Sequence, residues 1–258
     1  MNYQAIIGLV KEAGNFVFDE SLKKQVDMKG AADFVTAVDL KISDFLKSEL
    51  NKETPDVGFM SEEEKASEMK EKRWILDPID GTTNLVYNYN MSSVSLAYFD
   101  GEKIDFGVIY NPYNKDLFVA KRGHGAYLNG EKLSKAPDRP LSECIVEFGA
   151  GSTNKKMADE SFDIAKEIFK NCLDIRRICS TAIAIAYVAA GKLNGYFERL
   201  IKPWDYAAGT LLLEECGAKC CDFDGNPIRF DVPSSFVCGT PMACDFILST
   251  IQKHQTHQ

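Results

Sequence analysis

Two carboxylates three residues apart stand where a buried strand is expected to end. The stretch is DPIDGTTN, Asp77 to Asn84, and it follows the apolar run Trp74-Ile75-Leu76. Pro78 fixes a backbone angle, and Gly81 lets the backbone approach a ligand closely. Two hydroxyls then precede a predicted helix start, where the helix dipole favours an anion. Carboxylate oxygens suit a hard divalent cation, so the stretch predicts metal-assisted phosphate chemistry.

A metal ion needs more oxygen ligands than Asp77 and Asp80, and two other places offer acids in similar positions. The run Ser61-Glu62-Glu63-Glu64 follows a short apolar run, one predicted strand before the strand that leads to Asp77. Asp205 stands at a predicted helix start, followed by small residues that permit close packing. Taken alone, a glutamate run is typical of a solvated face, and Asp205 is typical of a helix cap. Their placement makes Glu62 or Glu63, and Asp205, candidate metal ligands.

Composition excludes several classes of protein. The 258 residues carry a net charge of −8, which disfavours nucleic-acid binding through a basic surface. No apolar run approaches the roughly 18 residues of a membrane span, and the start shows no secretory pattern, so a cytoplasmic location is expected. The eight cysteines form no CxxC pair and the three histidines no zinc-like spacing, which indicates reduced, mostly buried thiols.

The hydrophobic pattern changes along the chain. Helical stripes cover residues 3–18 and 38–50, and residues 29–36 are predicted to form the loop between them. Antiparallel strands are predicted at residues 94–99, 104–110, 116–121 and 125–128, with Asp-Gly and Asn-Gly turns. Beyond residue 140, helices at 157–169, 181–190, 205–216 and 242–252 alternate with strands at 145–148, 194–198 and 236–238. We expect a layered α+β unit spanning 1–258, with an antiparallel sheet in a lobe of about 1–140 and mixed α/β structure in a lobe of about 141–258.

Three short motifs together resemble one family. DPIDGTTN, the upstream Ser61-Glu62-Glu63 and the downstream stretch WDYAAG that contains Asp205 are similar to the motifs of the inositol monophosphatase family. Each motif is weak alone, but their order and spacing are specific, and the resemblance covers nearly the whole chain. It implies a fructose-1,6-bisphosphatase-like αβαβα sandwich and a Mg²⁺-dependent, lithium-sensitive phosphatase that is commonly dimeric.

The resemblance also implies metal-binding roles, with two or three Mg²⁺ ions in the site. Glu62, Asp77 and the backbone carbonyl of Ile79 would hold the first ion. Asp77, Asp80 and Asp205 would hold the second. Glu62 would reach a third and weaker site, for which Glu63 is the second candidate ligand.

Catalytic and substrate roles follow from the same resemblance. Asp39 and Thr82 would polarise the attacking water, together with Glu62 in the catalytic group, and the amides of Gly81 and Thr82 would hold phosphate oxygens. Glu198 would contact substrate hydroxyls. Further substrate-side residues are Asp80, Ser180, Thr181 and Asp205, with Lys29 nearby. Considered singly, Asp39 and Thr82 are ordinary helix-start residues, Glu198 a strand-end surface residue and Lys29 a solvated cation.

The sequence departs from the family in two places. Ser61 stands where a glycine is usual, and the stretch Leu85 to Asn90 lacks the usual basic pair and proline. Because the second departure lies beside the motif, it leaves substrate identity open. We expect a phosphatase acting on a small polyol or sugar phosphate, most of all inositol monophosphate. The alternatives are fructose-1,6-bisphosphate, histidinol phosphate or a 3′-phosphoadenosine nucleotide as substrate, and a non-catalytic metal- or phosphate-binding protein.

Overall fold

The computed structural model describes residues 1–30, 33–64, 70–151 and 155–255. The α-helices are α1 Tyr3–Gly14, α2 Glu20–Lys23, α3 Ala37–Glu53, α4 Thr82–Val86, α5 Ala158–Phe169, α6 Thr181–Ala189, α7 Pro203–Glu215 and α8 Pro241–Gln255. The strands are β1 Val26–Gly30, β2 Asp33–Thr36, β3 Gly58–Ser61, β4 Arg73–Asp80, β5 Ser93–Phe99, β6 Ile104–Asn111, β7 Asp116–Lys121, β8 Gly125–Leu128, β9 Glu131–Lys132, β10 Ile145–Phe148, β11 Asp174–Arg176, β12 Gly195–Ile201, β13 Lys219–Cys221 and β14 Ser234–Gly239.

The first large sheet is a meander of seven strands in the order β3-β4-β5-β6-β7-β8-β9. Neighbouring strands run antiparallel from β4 onward, as the alternating pattern and the turn residues predict. The exception is β3, which pairs parallel to β4. All eight residues of β4 are buried, which explains why its sequence is a nearly continuous apolar run until Asp77.

The second large sheet has five strands in the order β11-β10-β12-β14-β13 and is mixed. Strand β10 runs parallel to β11 and β12, whereas β14 runs antiparallel to β12 and β13. Helices α6 and α7 lie between the two sheets, because their apolar residues share one core cluster with residues of both.

Helices also cover the outer faces. Residues of α1 and α3 form a core with the first sheet, and residues of α5 and α8 form a core with the second. The layers therefore run helix, sheet, helix, sheet, helix, and the expected αβαβα sandwich is confirmed. Among the described helices, none has both the length and the apolar character needed to cross a bilayer.

One prediction was wrong in detail. The segment before α3 is the antiparallel hairpin β1–β2, where a loop was expected over residues 29–36. Residues 31 and 32 of that segment lie outside the described residues. The pattern gave no strand signal because the described part of β1 is mostly exposed and polar, so its strand structure comes from pairing with β2. The short strands β11 and β13 were missed for the same lack of periodicity.

Close packing between β6 and α7 depends on Gly107. A Cβ at Gly107 would lie 2.9 Å from the carbonyl oxygen of Ala208, a backbone atom of α7 that cannot turn away. We therefore expect Gly107→Ala to lower the free energy of unfolding by about 1–3 kcal/mol, because the sheet and helix must separate. Urea denaturation measures this change.

Gly8→Ala is the matched control, because a Cβ at Gly8 in α1 meets no atom within 4 Å. The control should stabilise the protein by up to about 1 kcal/mol through helix propensity. Equal unfolding midpoints for Gly107→Ala and the wild type would contradict the packing explanation.

Candidate active site

Parallel pairing of β3 and β4 brings two of the candidate acids together. Ser61 lies in register with Leu76, so the next residues along the two strands, Glu62 and Asp77, emerge at the same edge of the sheet. The amide of Glu62 donates to the carbonyl of Leu76 at 3.3 Å, which extends the pairing by one step. Two acids separated by fifteen positions in the chain thus become neighbours because Glu62 directly follows the end of β3 and Asp77 is the next residue of its partner β4.

Asp77 is a buried acid that lacks a hydrogen-bond donor, within the described part of the chain, for one of its carboxylate oxygens. Its side chain is 2% exposed, and its Oδ1 has no hydrogen-bond partner among the described residues. Burial first, and then the charges of Glu62, Asp80, Asp205 and Asp39, raise the pKa of Asp77 well above its ordinary value. A buried carboxylate oxygen without a donor, set among four further acids, is an arrangement that a bound cation would stabilise.

Asp80 is held by the N-terminus of α6. Its Oδ1 accepts the amide of Thr181 at 3.0 Å, and its Oδ2 accepts the amide of Ala182 at 2.9 Å and the hydroxyl of Ser180. Burial raises the pKa of Asp80, and these hydrogen bonds oppose that rise. The contact joins the last residue of β4, in the first sheet, to a helix of the central layer. The hydroxyl of Ser180 thus binds Asp80, and the substrate contact expected of Ser180 stays a prediction.

Asp205 approaches from the other central helix. It stands in the first turn of α7, where its Oδ2 accepts the amide of Lys202 at 2.7 Å. Burial is the largest cause that raises the pKa of Asp205, and the charges of Asp80 and Glu62 add to it. The ordinary interpretation of Asp205 as a helix-start residue is therefore correct, and the same carboxyl also faces the acidic cluster.

The β1–β2 hairpin supplies a cation to the glutamate run. The Nζ of Lys29 lies 2.5 Å from Oε1 of Glu63 and 3.4 Å from Oε1 of Glu62. Burial raises the pKa of Glu62 to about 7, while the charge of Lys29 acts in the opposite direction. Lys29, expected to be solvated if taken alone, is thus engaged with the two glutamates.

The hydroxyl of Thr82 and the carboxylate of Asp39 lie close together beside the turn that follows β4. The Oγ1 of Thr82 lies 3.2 Å from Oδ1 of Asp39 and 3.0 Å from the carbonyl oxygen of Ile79, so its one proton can be donated to either. The other oxygen of Asp39 accepts from the amide and hydroxyl of Thr36 at the start of α3. Asp39 therefore caps α3 with one oxygen and orients Thr82 with the other.

The turn between β4 and α4 requires glycine. Gly81 has φ 89°, and a Cβ there would lie 3.1 Å from the carbonyl oxygen of Met91 and 3.2 Å from that of Cys179. Just beyond it, the side-chain amide of Asn84 donates to the carbonyls of Met91 and Ile178 at 2.8 and 2.7 Å. The turn is thereby fastened to the segment that leads into α6.

Glu198 lies across the cavity from the acids of β4. The hydroxyl of Tyr196 donates to its Oε2 at 2.5 Å, and the Oγ1 of Thr181 lies 3.1 Å from the same hydroxyl. Burial raises the pKa of Glu198. A Cβ at Gly149 would lie 1.9 Å from Cδ of Glu198, so only glycine leaves room for this carboxyl.

Most of these residues line one cavity of about 480 Å³. The predicted site residues that line it are Lys29, Glu62, Asp77, Ile79, Asp80, Gly81, Thr82, Ser180, Thr181, Glu198 and Asp205. Asp39 and Glu63 do not line it, and each acts through a neighbour that does. Cations on the wall, Lys29, Arg177 and Lys202, give an anion local attraction despite the net charge of −8.

Sequence reasoning missed four residues of this cavity. Tyr196 and Glu147 lie on its wall, Gly149 makes room for Glu198, and Arg177 is a wall cation. Tyr196 could have been found, because it shares a strand face with Glu198 at a spacing of two. Glu147 also had a signal, since it is an acid inside the otherwise apolar strand β10.

The donor set fits a hard cation such as Mg²⁺. It consists of carboxylate and carbonyl oxygens, and Asp77 Oδ1 is without a partner in the described structure. Over the described ranges, no three His, Cys, Asp or Glu side chains are already arranged as ligands around one point. Oδ1 of Asp80 and Oδ2 of Asp205 each accept one hydrogen bond from the described residues, which leaves a second lone pair on each for an ion.

The acidic cluster predicts how stability depends on pH. The folded state binds protons that the unfolded chain releases, because burial raises the pKa of Asp39 from 3.8 to about 6 and that of Glu62 from 4.5 to about 7. Metal-free protein should therefore lose stability as pH rises from about 4 to about 7, and the Asp39 shift alone is worth roughly 3 kcal/mol. Urea titrations in EDTA at several pH values measure the slope.

Two controls accompany the measurement. Asp39→Asn should reduce the slope, and saturating Mg²⁺ should flatten it, because a cation stabilises the charged carboxylates. A slope that is the same in the wild type and in Asp39→Asn, with and without Mg²⁺, would contradict the electrostatic explanation.

Comparison with known proteins agrees with this site. A model of the inositol monophosphatase family matches residues 2–256. The Nus factor SuhB of Pasteurella multocida is 33% identical over 251 residues, 95% of this chain and 94% of that protein. The inositol-1-monophosphatase of Mesorhizobium japonicum is 34% identical over 238 residues, 92% of this chain and 89% of that protein.

Solved structures show the same fold. The Thermotoga maritima IMPase superposes with a TM-score of 0.89 at 28% identity, covering 100% of this chain and 99% of that one. An IMPase/NADP phosphatase complexed with Mg²⁺ and phosphate has a TM-score of 0.85 at 27% identity, covering 96% and 93%. A Staphylococcal inositol monophosphatase-1 soaked in lithium chloride, described as an inhibitory complex, has a TM-score of 0.86 at 26% identity, covering 96% and 92%. With the motifs, the layered fold and the acidic cavity in agreement, the chain belongs to the inositol monophosphatase family of phosphatases.

Proposed function

We propose that this protein is a Mg²⁺-dependent phosphatase that hydrolyses a small polyol or sugar phosphate, inositol monophosphate first among them. The observation that carries the proposal is the buried Asp77, whose Oδ1 has no partner in the described structure and whose neighbours are four other acids. A site of oxygen ligands beside a cavity with cationic walls suits a metal ion and a phosphate together.

The proposed ligand assignments are those that the family resemblance implies. Glu62 and Asp77, at one sheet edge, would hold a first ion with the carbonyl of Ile79. Asp77, Asp80 and Asp205 would hold a second, and Glu62 with Glu63 would reach a third, weaker one. Bound Mg²⁺ would lower the pKa of a water molecule and stabilise charge on the phosphate and leaving oxygen.

Thr82 and Asp39 would prepare the attacking water. The proton of Thr82 Oγ1 has two acceptors within reach, Asp39 and the carbonyl of Ile79, which leaves a lone pair of the hydroxyl oxygen free to accept a proton from water. The amides of Gly81 and Thr82 would hold phosphate oxygens at the turn. A protein that merely binds phosphate has no need of the Thr82–Asp39 pair, and this contact favours an enzyme over a non-catalytic binder.

Glu198 is proposed to bind the hydroxyl groups of the substrate. Its carboxyl is fixed by Tyr196 and lies on the cavity wall, so a polyol held by its phosphate near Asp77 would meet it. A Staphylococcal IMPase-II structure with bound inositol monophosphate supports this class of substrate. The alternative substrates are a 3′-phosphoadenosine nucleotide, fructose-1,6-bisphosphate and histidinol phosphate. The similar IMPase/NADP phosphatase is a reason to retain the nucleotide among them. A homodimer and the number of ions stay predictions from the resemblance, and a cytoplasmic location stays a prediction from the sequence pattern.

Asp80→Asn tests the metal assignment. Loss of one charge at the second ion should lower kcat for inositol monophosphate by at least about a hundredfold, because charge stabilisation in the transition state is lost. Phosphate release at saturating Mg²⁺ measures it, and millimolar lithium should inhibit the wild type.

Asp163→Asn is the matched control, because Asp163 is an exposed residue of α5. It should leave activity unchanged. Undiminished Mg²⁺-dependent turnover in Asp80→Asn would refute the proposed role of Asp80.

Glu198→Gln tests substrate choice. Glutamine fits the space that Gly149 provides but lacks the charge, so contacts with substrate hydroxyls should weaken. We expect kcat/KM for inositol monophosphate to fall roughly tenfold, while that for p-nitrophenyl phosphate, which has no hydroxyls, changes little. The same panel, extended to the alternative substrates, ranks them for the wild type. An equal fall for both compounds would contradict a hydroxyl-reading role.

A further inference from the structure

Glu147 is a buried acid that the proposed reaction does not use. It lies on β10, between β11 and β12 in the second sheet, and is 2% exposed. Its Oε1 accepts the amide of Ile178 at 2.7 Å, and the amide of Cys179 also donates to the carboxyl. Its Oε2 is buried and has no partner among the described residues, and Glu147 lies on the cavity wall. The hydrogen bonds of the carboxyl are with backbone amides of the neighbouring segment.

The segment that Glu147 holds has no helix or strand structure of its own, although Ile178 packs against the central core. Residues 177–180 join β11 to α6 without regular structure, and Cys179 has φ 60°. A residue other than glycine in this left-handed region costs roughly 1 kcal/mol or more, so tertiary contacts must maintain it. Two contacts do so: the amides are bound by Glu147, and the carbonyls of Ile178 and Cys179 accept from Asn84 at 2.7 and 3.4 Å.

The next three residues carry the donors for Asp80. The hydroxyl of Ser180 and the amides of Thr181 and Ala182 converge on that carboxyl. Their position depends on how the preceding peptides are turned, because Cys179 sets the direction in which the chain enters α6. The contacts from Glu147 to the segment and from α6 to Asp80 therefore form one connected path.

We propose that Glu147 is a positioning residue that fixes the entry into α6 and thereby the orientation of Asp80. Its role in metal affinity rests on the proposed function, in which Asp80 is a metal ligand. Its role in ordering residues 177–180 does not depend on the proposed function. Partners that orient a ligand typically change metal affinity by about 10–100-fold when they are removed.

Two variants with opposite expectations test the proposal. Glu147→Gln keeps an acceptor oxygen for the two amides, whereas Glu147→Met has a similar length and no acceptor. In Glu147→Met, amide hydrogen exchange at Thr181 and Ala182 should speed up at least about tenfold, and the Mg²⁺ concentration for half-maximal activity should rise about 10–100-fold. The value of kcat at saturating Mg²⁺ should change much less. Glu147→Gln should stay near the wild type in all three measurements.

Glu143→Met is the control, because Glu143 is exposed in the short 3-10 turn before the same strand. It should change none of the three readouts. A role confined to general stability would lower the unfolding midpoint of Glu147→Met without moving its Mg²⁺ response. Wild-type exchange at Thr181 and Ala182, or an unchanged Mg²⁺ response, would overturn the proposal.

If Glu147→Met does not fold, amide hydrogen exchange in the wild-type protein still tests the proposal. The amides of Ile178 and Cys179 should then exchange as slowly as those of neighbouring strands, and exchange as fast as in an open loop would overturn the ordering role. These readouts separate the two proposals. A wild-type protein without Mg²⁺-dependent phosphatase activity would refute the proposed function, while the exchange data would still decide what Glu147 does.

Discussion

Concentrated negative charge in a buried place is the constraint on which this structure depends. Glu62, Asp77, Asp80, Asp205 and Asp39 gather where the first sheet meets the central helices, and burial raises the pKa of each. Like charges in such a place destabilise the folded state unless donors or cations compensate them. The surrounding structure supplies donors to most of these groups and leaves Asp77 Oδ1 without one among the described residues. That imbalance is one that a bound cation would relieve.

Helix starts provide most of the compensation. Asp39 lies in the first turn of α3 and Asp205 in the first turn of α7, while the first turn of α6 donates to Asp80. Each carboxylate thus lies near the positive end of a helix dipole. The layered fold makes this possible, because α6 and α7 are enclosed between two sheets and their N-termini point to the edge where β4 ends. The same layered arrangement that forms the core therefore also places helix starts where they stabilise the buried carboxylates.

Particular residues show how far the sequence could be read. Asp77 and Asp80 were identifiable because an apolar run stops at two acids and a glycine, and the strand, turn and short helix follow as expected. The β1–β2 hairpin was not, since exposed polar strands carry no hydrophobic alternation. Ser180 lines the cavity, but the sequence did not reveal that its hydroxyl binds Asp80, because a short motif does not show which way a side chain turns. Glu147 had a visible signal whose meaning depends on a contact with Ile178, thirty-one positions away.

The sequence by itself determined the family, the layered α and β elements and the acids available for the site, because local periodicity, turn residues and motif spacing are properties of the chain. Only the tertiary structure decided which acids meet. The parallel pairing of β3 with β4 puts Glu62 beside Asp77, and packing of α6 between the two sheets brings its first turn onto Asp80. Those contacts join residues far apart in the chain, and their geometry depends on strand register and helix packing, which short-range patterns do not encode.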